Sequence, residues 1–153
     1  MSVTATIRVS LPHEKNINIP GSIIIPVLVQ AGWRIFTANG MVGHLPVEVS
    51  NAFEWQYAPI DFESLIDIFK EKETKKETTG VCFFWQSTSI GGSFSFFPDD
   101  VMRTLSMNIN EDRQLITLAP DYMITDFQWY LEKLLPPLND TFGVDFFQCQ
   151  ELK

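Results

Sequence analysis

His13 and His44 are the only imidazoles in this chain. A catalytic triad or a multi-histidine metal centre therefore has almost no material, and histidine chemistry reduces to one ring beside a carboxylate. His13 sits among Glu14, Lys15 and Asn16 in a polar loop, and His44 ends a hairpin strand, so each reads as a surface or partly satisfied side chain. Asn108-x-Asn110-x-Asp112 opens like a calcium loop, but Arg113 stands where that loop needs glycine and Ala119 where it needs a bidentate glutamate. Asp99 and Asp100 form an acid pair after Pro98, read as a polar turn between strands that can also serve as an acidic contact point. Ser89-Ile90-Gly91-Gly92-Ser93 has glycines that could approach a phosphate, yet neither a lysine nor a helix start accompanies them. It reads as a hairpin turn. No catalytic residue, metal or cofactor is expected.

The sharpest remaining signal is a tryptophan on the polar side of a helix. Thr125 to Leu135 reads as an amphipathic helix with a capping box of Thr125 and Gln128, ended by Pro136 and Pro137. At about 100° per residue, Phe127, Tyr130, Leu131, Leu134 and Leu135 share one apolar arc, and Trp129 falls between Glu132 and Lys133. A tryptophan placed so is a candidate interface anchor. The structural alternative packs it beneath a loop such as Asn110 to Gln114. Trp85 reads as core, while Trp33 and Trp55 either cover a sheet or line a pocket. Arg103 interrupts an apolar alternation and reads as an edge residue reaching water.

The elements that must position these residues follow from periodicity. Residues 3–11 alternate apolar with polar, the period of a half-buried strand. In Ser22 to Trp33, Pro26 either opens a short helix at its first turn or marks an irregular strand, and the segment is read as a short helix ending near Gly32. Asn39-Gly40 marks a hairpin. Phe62, Leu65, Ile66 and Phe69 recur at helical spacing behind a capping Asp61, and the run Lys70, Lys72, Lys75 and Lys76 with its glutamates reads as a solvated helix end. Val81 to Gln86 is apolar on both faces, as in a central strand. A meander is expected to run through Ser93 to Phe97 and Val101 to Ile109, extended by Leu115 to Leu118, with Phe142 to Cys149 as the last strand. The fold class is α+β: one domain, residues 1–153, with a predominantly antiparallel sheet and two main amphipathic helices packed on it.

At 153 residues the chain can bury roughly 70% of its unfolded surface. Its net charge of −8 opposes binding to phosphate backbones and favours a partner with a basic surface. The N-terminus lacks a signal-peptide core, and the longest apolar run, Ile23 to Val29, is far too short to span a bilayer. Cys82 and Cys149 then read as reduced core thiols of a cytoplasmic protein.

Gly32-Trp33, His44-Leu45-Pro46, Phe53-Glu54-Trp55 and Asp126-Phe127-Gln128-Trp129-Tyr130-Leu131 together resemble small acidic immunity-type proteins of bacterial toxin systems. The resemblance implies a cytosolic inhibitor that binds a toxin domain directly. The residues themselves suggest a non-enzymatic binding protein whose acids, Asp99, Asp100, Glu111, Asp112, Asp126 and Glu132, attract a basic partner that Trp129 anchors. Two other readings stay open: a secretion chaperone for an effector, and a small-ligand protein or enzyme with a pocket assembled from distant Tyr, Asp or Arg residues.

Overall fold

Strand β1 (Thr4–Ser10) buries Ala5, Ile7 and Val9 on one face and turns Thr4, Thr6 and Arg8 to the other, whereas the central strands are buried on both faces. In the computed structural model, which describes residues 3–12, 19–51, 53–98 and 104–153, β1 lies between β10 (Phe146–Leu152) and β7 (Thr104–Glu111). The order continues through β6 (Gly91–Phe96), β5 (Thr79–Trp85), β3 (Val42–His44) and β4 (Gln56–Ala58), and β2 (Trp33–Arg34) also pairs with β5. All these pairings are antiparallel. His13, Asp99, Asp100 and Arg103 lie outside the described residues.

One face of the sheet carries helices α1 (Gly21–Ala31), α2 (Phe62–Thr74) and α3 (Phe127–Phe142), which bury Ile25, Leu28, Phe69, Tyr130 and Leu134 against Ile7, Val81, Phe83, Phe94 and Met107 in a single core. The result is an α+β domain. α1 contacts both α2 and α3 and so forms the middle of the helical layer. It starts at Gly21, a turn earlier than a start at Pro26 would give, and Pro26 sits exposed in its interior. The first-turn amide of Ser22 is satisfied from outside: Glu73 of α2 accepts from Ser22 N at 3.1 Å and from its Oγ at 2.6 Å, a carboxylate at the positive end of a helix.

The charged run after Phe69 is not a solvated helix end. Lys72 is fully buried, and its Nζ donates to Pro46 O at 2.6 Å and Val49 O at 2.7 Å and pairs with Glu77 at 3.5 Å. Glu77 in turn accepts from Glu48 N at 2.7 Å. Lys72 thus pins residues 46–49 to α2, while Lys70, Lys75 and Lys76 remain at the surface. Single-chain patterning assigns lysine to water, and here three carbonyl or carboxylate oxygens outweigh that preference.

Pro136 and Pro137 do not end α3. A helix-interior proline deletes one i to i−4 hydrogen bond and costs about 3 kcal/mol, and Pro137 leaves the Lys133 carbonyl without its helical donor. Trp33 Nε1 supplies one, at 3.1 Å. The helix therefore continues two more turns, to a C-terminal Gly143 at φ 77°. Its N-cap is Asp126, whose carboxylate accepts from Trp129 N at 3.2 Å, rather than Thr125, whose hydroxyl donates to Glu151 instead.

Two strand expectations also shift. Gly91 and Gly92 lie inside β6, not at its turn, because a Cβ on Gly91 would stand 1.9 Å from Phe83 O and one on Gly92 2.1 Å from Asn108 O. Leu115 to Leu118 does not extend the meander: β7 is already paired on both sides, so β8 (Leu115–Ala119) folds on β9 (Tyr122–Thr125) as a separate hairpin. The last strand begins at Phe146, after the longer α3.

Candidate functional site

Beyond the end of β5, the chain turns at residues 86–90 and returns as β6, with Trp85 N donating to Ile90 O at 2.9 Å and Gln86 N to Gly32 O at 2.8 Å. Arg34 braces this turn from the helix-free face. Its guanidinium donates to Phe36 O at 2.6 Å, to Thr88 O at 3.3 Å and to Gln86 O, and its charge lies 5.3 Å from the Phe84 ring. The facing strand β4 brings Tyr57 over Gly43, where a Cβ would be only 2.8 Å from the ring. A cleft of about 360 Å³ opens here, walled by Arg34, Thr37, Tyr57, Phe84, Ser89 and Glu111.

Glu111, at the end of β7, is the uncommitted group of the cleft. Its carboxylate is half-buried and, among the described residues, takes part in no ion pair or side-chain hydrogen bond. Its charge reaches the neighbouring acids. Burial, then Cys82 and Glu111, push the Tyr57 hydroxyl up to about 12, and burial, reinforced by Glu111, pushes the Cys82 thiol up to about 11. Both stay protonated at neutral pH, as the 3.7 Å contact between Tyr57 Oη and Cys82 Sγ requires of at least one of them. Asp112, next in the chain, is exposed at φ 40° and accepts from Ser89 Oγ across the rim.

The sequence-predicted residues divide around this end of the molecule. Asp126 is close to the Glu111–Asp112 corner, since its amide donates to Gln114 O at 2.8 Å. Trp129 is half-buried, edge-on to Tyr130 with ring centres 4.9 Å apart, and Lys133 Nζ sits 4.0 Å over its ring. The side of Trp129 that helical periodicity turns to water is thus covered by its own helix. The residue that meets the Asn110 to Gln114 loop is its neighbour: Tyr130 Oη accepts from Gln114 N at 2.9 Å. Glu132 is exposed and accepts from Gln128 Nε2 at 2.9 Å. The cleft walls Arg34, Tyr57 and Phe84 escaped sequence reasoning; the available signal was the second apolar face of Val81 to Gln86, which needed cover.

His44 is buried with Nδ1 3.3 Å from Val42 O and lies apart from the cleft lining. Among the described residues, no group of three or more His, Cys, Asp or Glu is placed to hold a metal ion, and no helix is long and apolar enough to cross a membrane. Compared with known protein families, with curated proteins and with solved structures, the chain matches none.

Proposed function

We propose that this chain is a non-enzymatic protein-binding domain that receives a basic side chain of its partner at the Glu111 cleft, in the manner of an immunity protein that neutralises a toxin by direct contact. The observation that carries the reading is a half-buried carboxylate that, among the described residues, has no side-chain partner and lies beside two aromatic walls, Tyr57 and Phe84. A lysine or arginine entering there gains a desolvated ion pair with Glu111 and contact with the Tyr57 ring, the Phe84 ring being already met by Arg34. The net charge of −8 draws a basic protein toward the cleft, and Asp112 reaches its rim through Ser89. Trp129 supports this corner as packing, and the cytoplasm, where Cys82 and Cys149 stay reduced, is the matching compartment.

Capture from the native host with wild-type chain and with Glu111→Gln, read by intact-complex mass spectrometry, tests this. One stoichiometric basic protein is expected on the wild type and roughly tenfold less on the variant, with binding that weakens as salt rises. A protein retained equally by both chains would overturn the reading. The same cleft favours a second one, a small cationic ligand, and a low-mass cation retained with no protein would establish that instead.

A further inference from the structure

We propose that the free edge of β10 pairs antiparallel with β10 of a second copy of this chain, about a twofold axis at Cys149. Among the described residues β10 pairs with β1 on one side alone, in unbroken register over Thr4 to Ser10, and none of its residues from Phe146 to Leu152 is a proline or lysine. Edges of this length usually carry a bulge, a proline or an outward lysine that discourages another strand. Here Phe146, Phe147 and Leu152 are instead 39%, 48% and 56% exposed.

The occupant follows from the strand's own symmetry. A twofold at Cys149 sets Phe146 against Leu152 and Gln148 against Gln150 on the helix-free face, apolar against apolar and amide against amide. On the helix side it sets Asp145 against Lys153 at both ends, two opposite-charge pairs generated by one axis. Phe147 falls opposite Glu151, whose carboxylate is turned to its own chain by Thr125 N at 2.8 Å and Arg113 at 3.2 Å and so presents no free charge. Lys153 is exposed; within its own chain it donates to Met123 O at 3.0 Å, lies 4.2 Å from the Tyr122 ring and pairs with Glu151 at 3.7 Å, surface contacts that it exchanges for Asp145 of the second copy. Other registers fit worse. A slip of one residue sets helix-side against helix-free side chains, and a slip of two in one direction sets Asp145 against Glu151. The net charge of −8 on each copy opposes association, so the two Asp145–Lys153 pairs decide the register.

Sedimentation velocity and native mass spectrometry over a concentration series test the pairing. A dimer is expected for the wild type. Asp145→Lys or Lys153→Asp alone weakens it roughly tenfold, because each reversal acts twice per dimer, and the double reversal restores it to near the wild-type value. Restoration separates register from folding. Under a mild added oxidant, the two Cys149 thiols, each giving up one proton and one electron, are expected to join as a disulfide in the dimer, while Cys82 stays reduced beneath Tyr57. A monomer at every concentration, a dimer indifferent to either single reversal, or a double reversal that fails to restore it would each overturn the proposal. So would a strand from a different protein taking this edge while the chain alone stays monomeric.

Discussion

At one border of the sheet, β4 offers three residues before Pro59 removes a backbone donor, and Trp55 and Tyr57 fold down over Gly80 and Gly43. At the other border, β10 runs seven residues in register with β1 and leaves its outer side open. The short border is positioned by side chains: Lys72 and Glu77 hold residues 46–49, the approach to β4, from beneath α2. The long border is positioned by its backbone ladder, with Glu151 tying it to the β8–β9 hairpin. A border that is closed to strand addition here depends on a few buried polar atoms, and a border that holds itself in place is the one left open.

The largest effect that would break this contrast is expected at Lys72. Burial pushes its ammonium pKa down and Glu77 partly restores it. Lys72→Ala leaves Glu77 and the Pro46 and Val49 carbonyls without their cation, a loss of about 3–5 kcal/mol by chemical denaturation. A loss below about 1 kcal/mol would show that β4 is held by its packing instead. Next comes Glu151→Gln, which weakens charge-assisted bonds from Thr125 and Arg113 and should cost about 1–3 kcal/mol. Burial alone would raise the Glu151 carboxyl, but Thr125, then Arg113 and Lys153, hold it below the usual carboxylate range. Its folded pKa therefore lies under its unfolded value of about 4.3. The stabilisation is present above that value and disappears as pH falls through the folded pKa, so acid titrations of wild type and variant should diverge above the unfolded value and converge once the pH has fallen below the folded one. The smallest effect sharpens the comparison without changing stability. One thiol lies on the open border and one on β5 beneath Tyr57 of the closed border, and a disulfide reagent at pH 8 should label Cys149 in the folded monomer at high dilution and Cys82, at about 11, only after unfolding. Equal rates would contradict the closed border.

Much of this architecture was legible in residue order. β1 and α2 followed from period-2 and period-3.6 patterns, Asp61 caps α2 through Ser64 N at 2.8 Å, and Asn39-Gly40 makes its turn with Gly40 at φ 74°. What escaped were places where a distant residue supplies what local rules say is missing. Pro136 and Pro137 read as a stop because the substitute donor, Trp33, lies a hundred positions away. Lys72 read as solvated because its acceptors come from another loop. For Trp129 periodicity left two readings, an interface anchor or packing beneath a loop; it is half-buried with Lys133 over its ring, a placement that helical spacing alone does not decide. Of the cleft, the acids Glu111 and Asp112 were visible as charge, but their proximity to Arg34 and Tyr57 depends on strand order, which no local pattern encodes.

The bond from Trp33 to the Lys133 carbonyl also orders events during synthesis. Its donor emerges from the ribosome early and its acceptor late, so β2 and β5 can assemble around an indole N–H that has no protein partner until α3 arrives. A nascent chain stopped before Phe127 would bury that N–H unsatisfied or keep Trp33 at the surface. One side-chain hydrogen bond thus ties the completion of this helix to a residue of the N-terminal third.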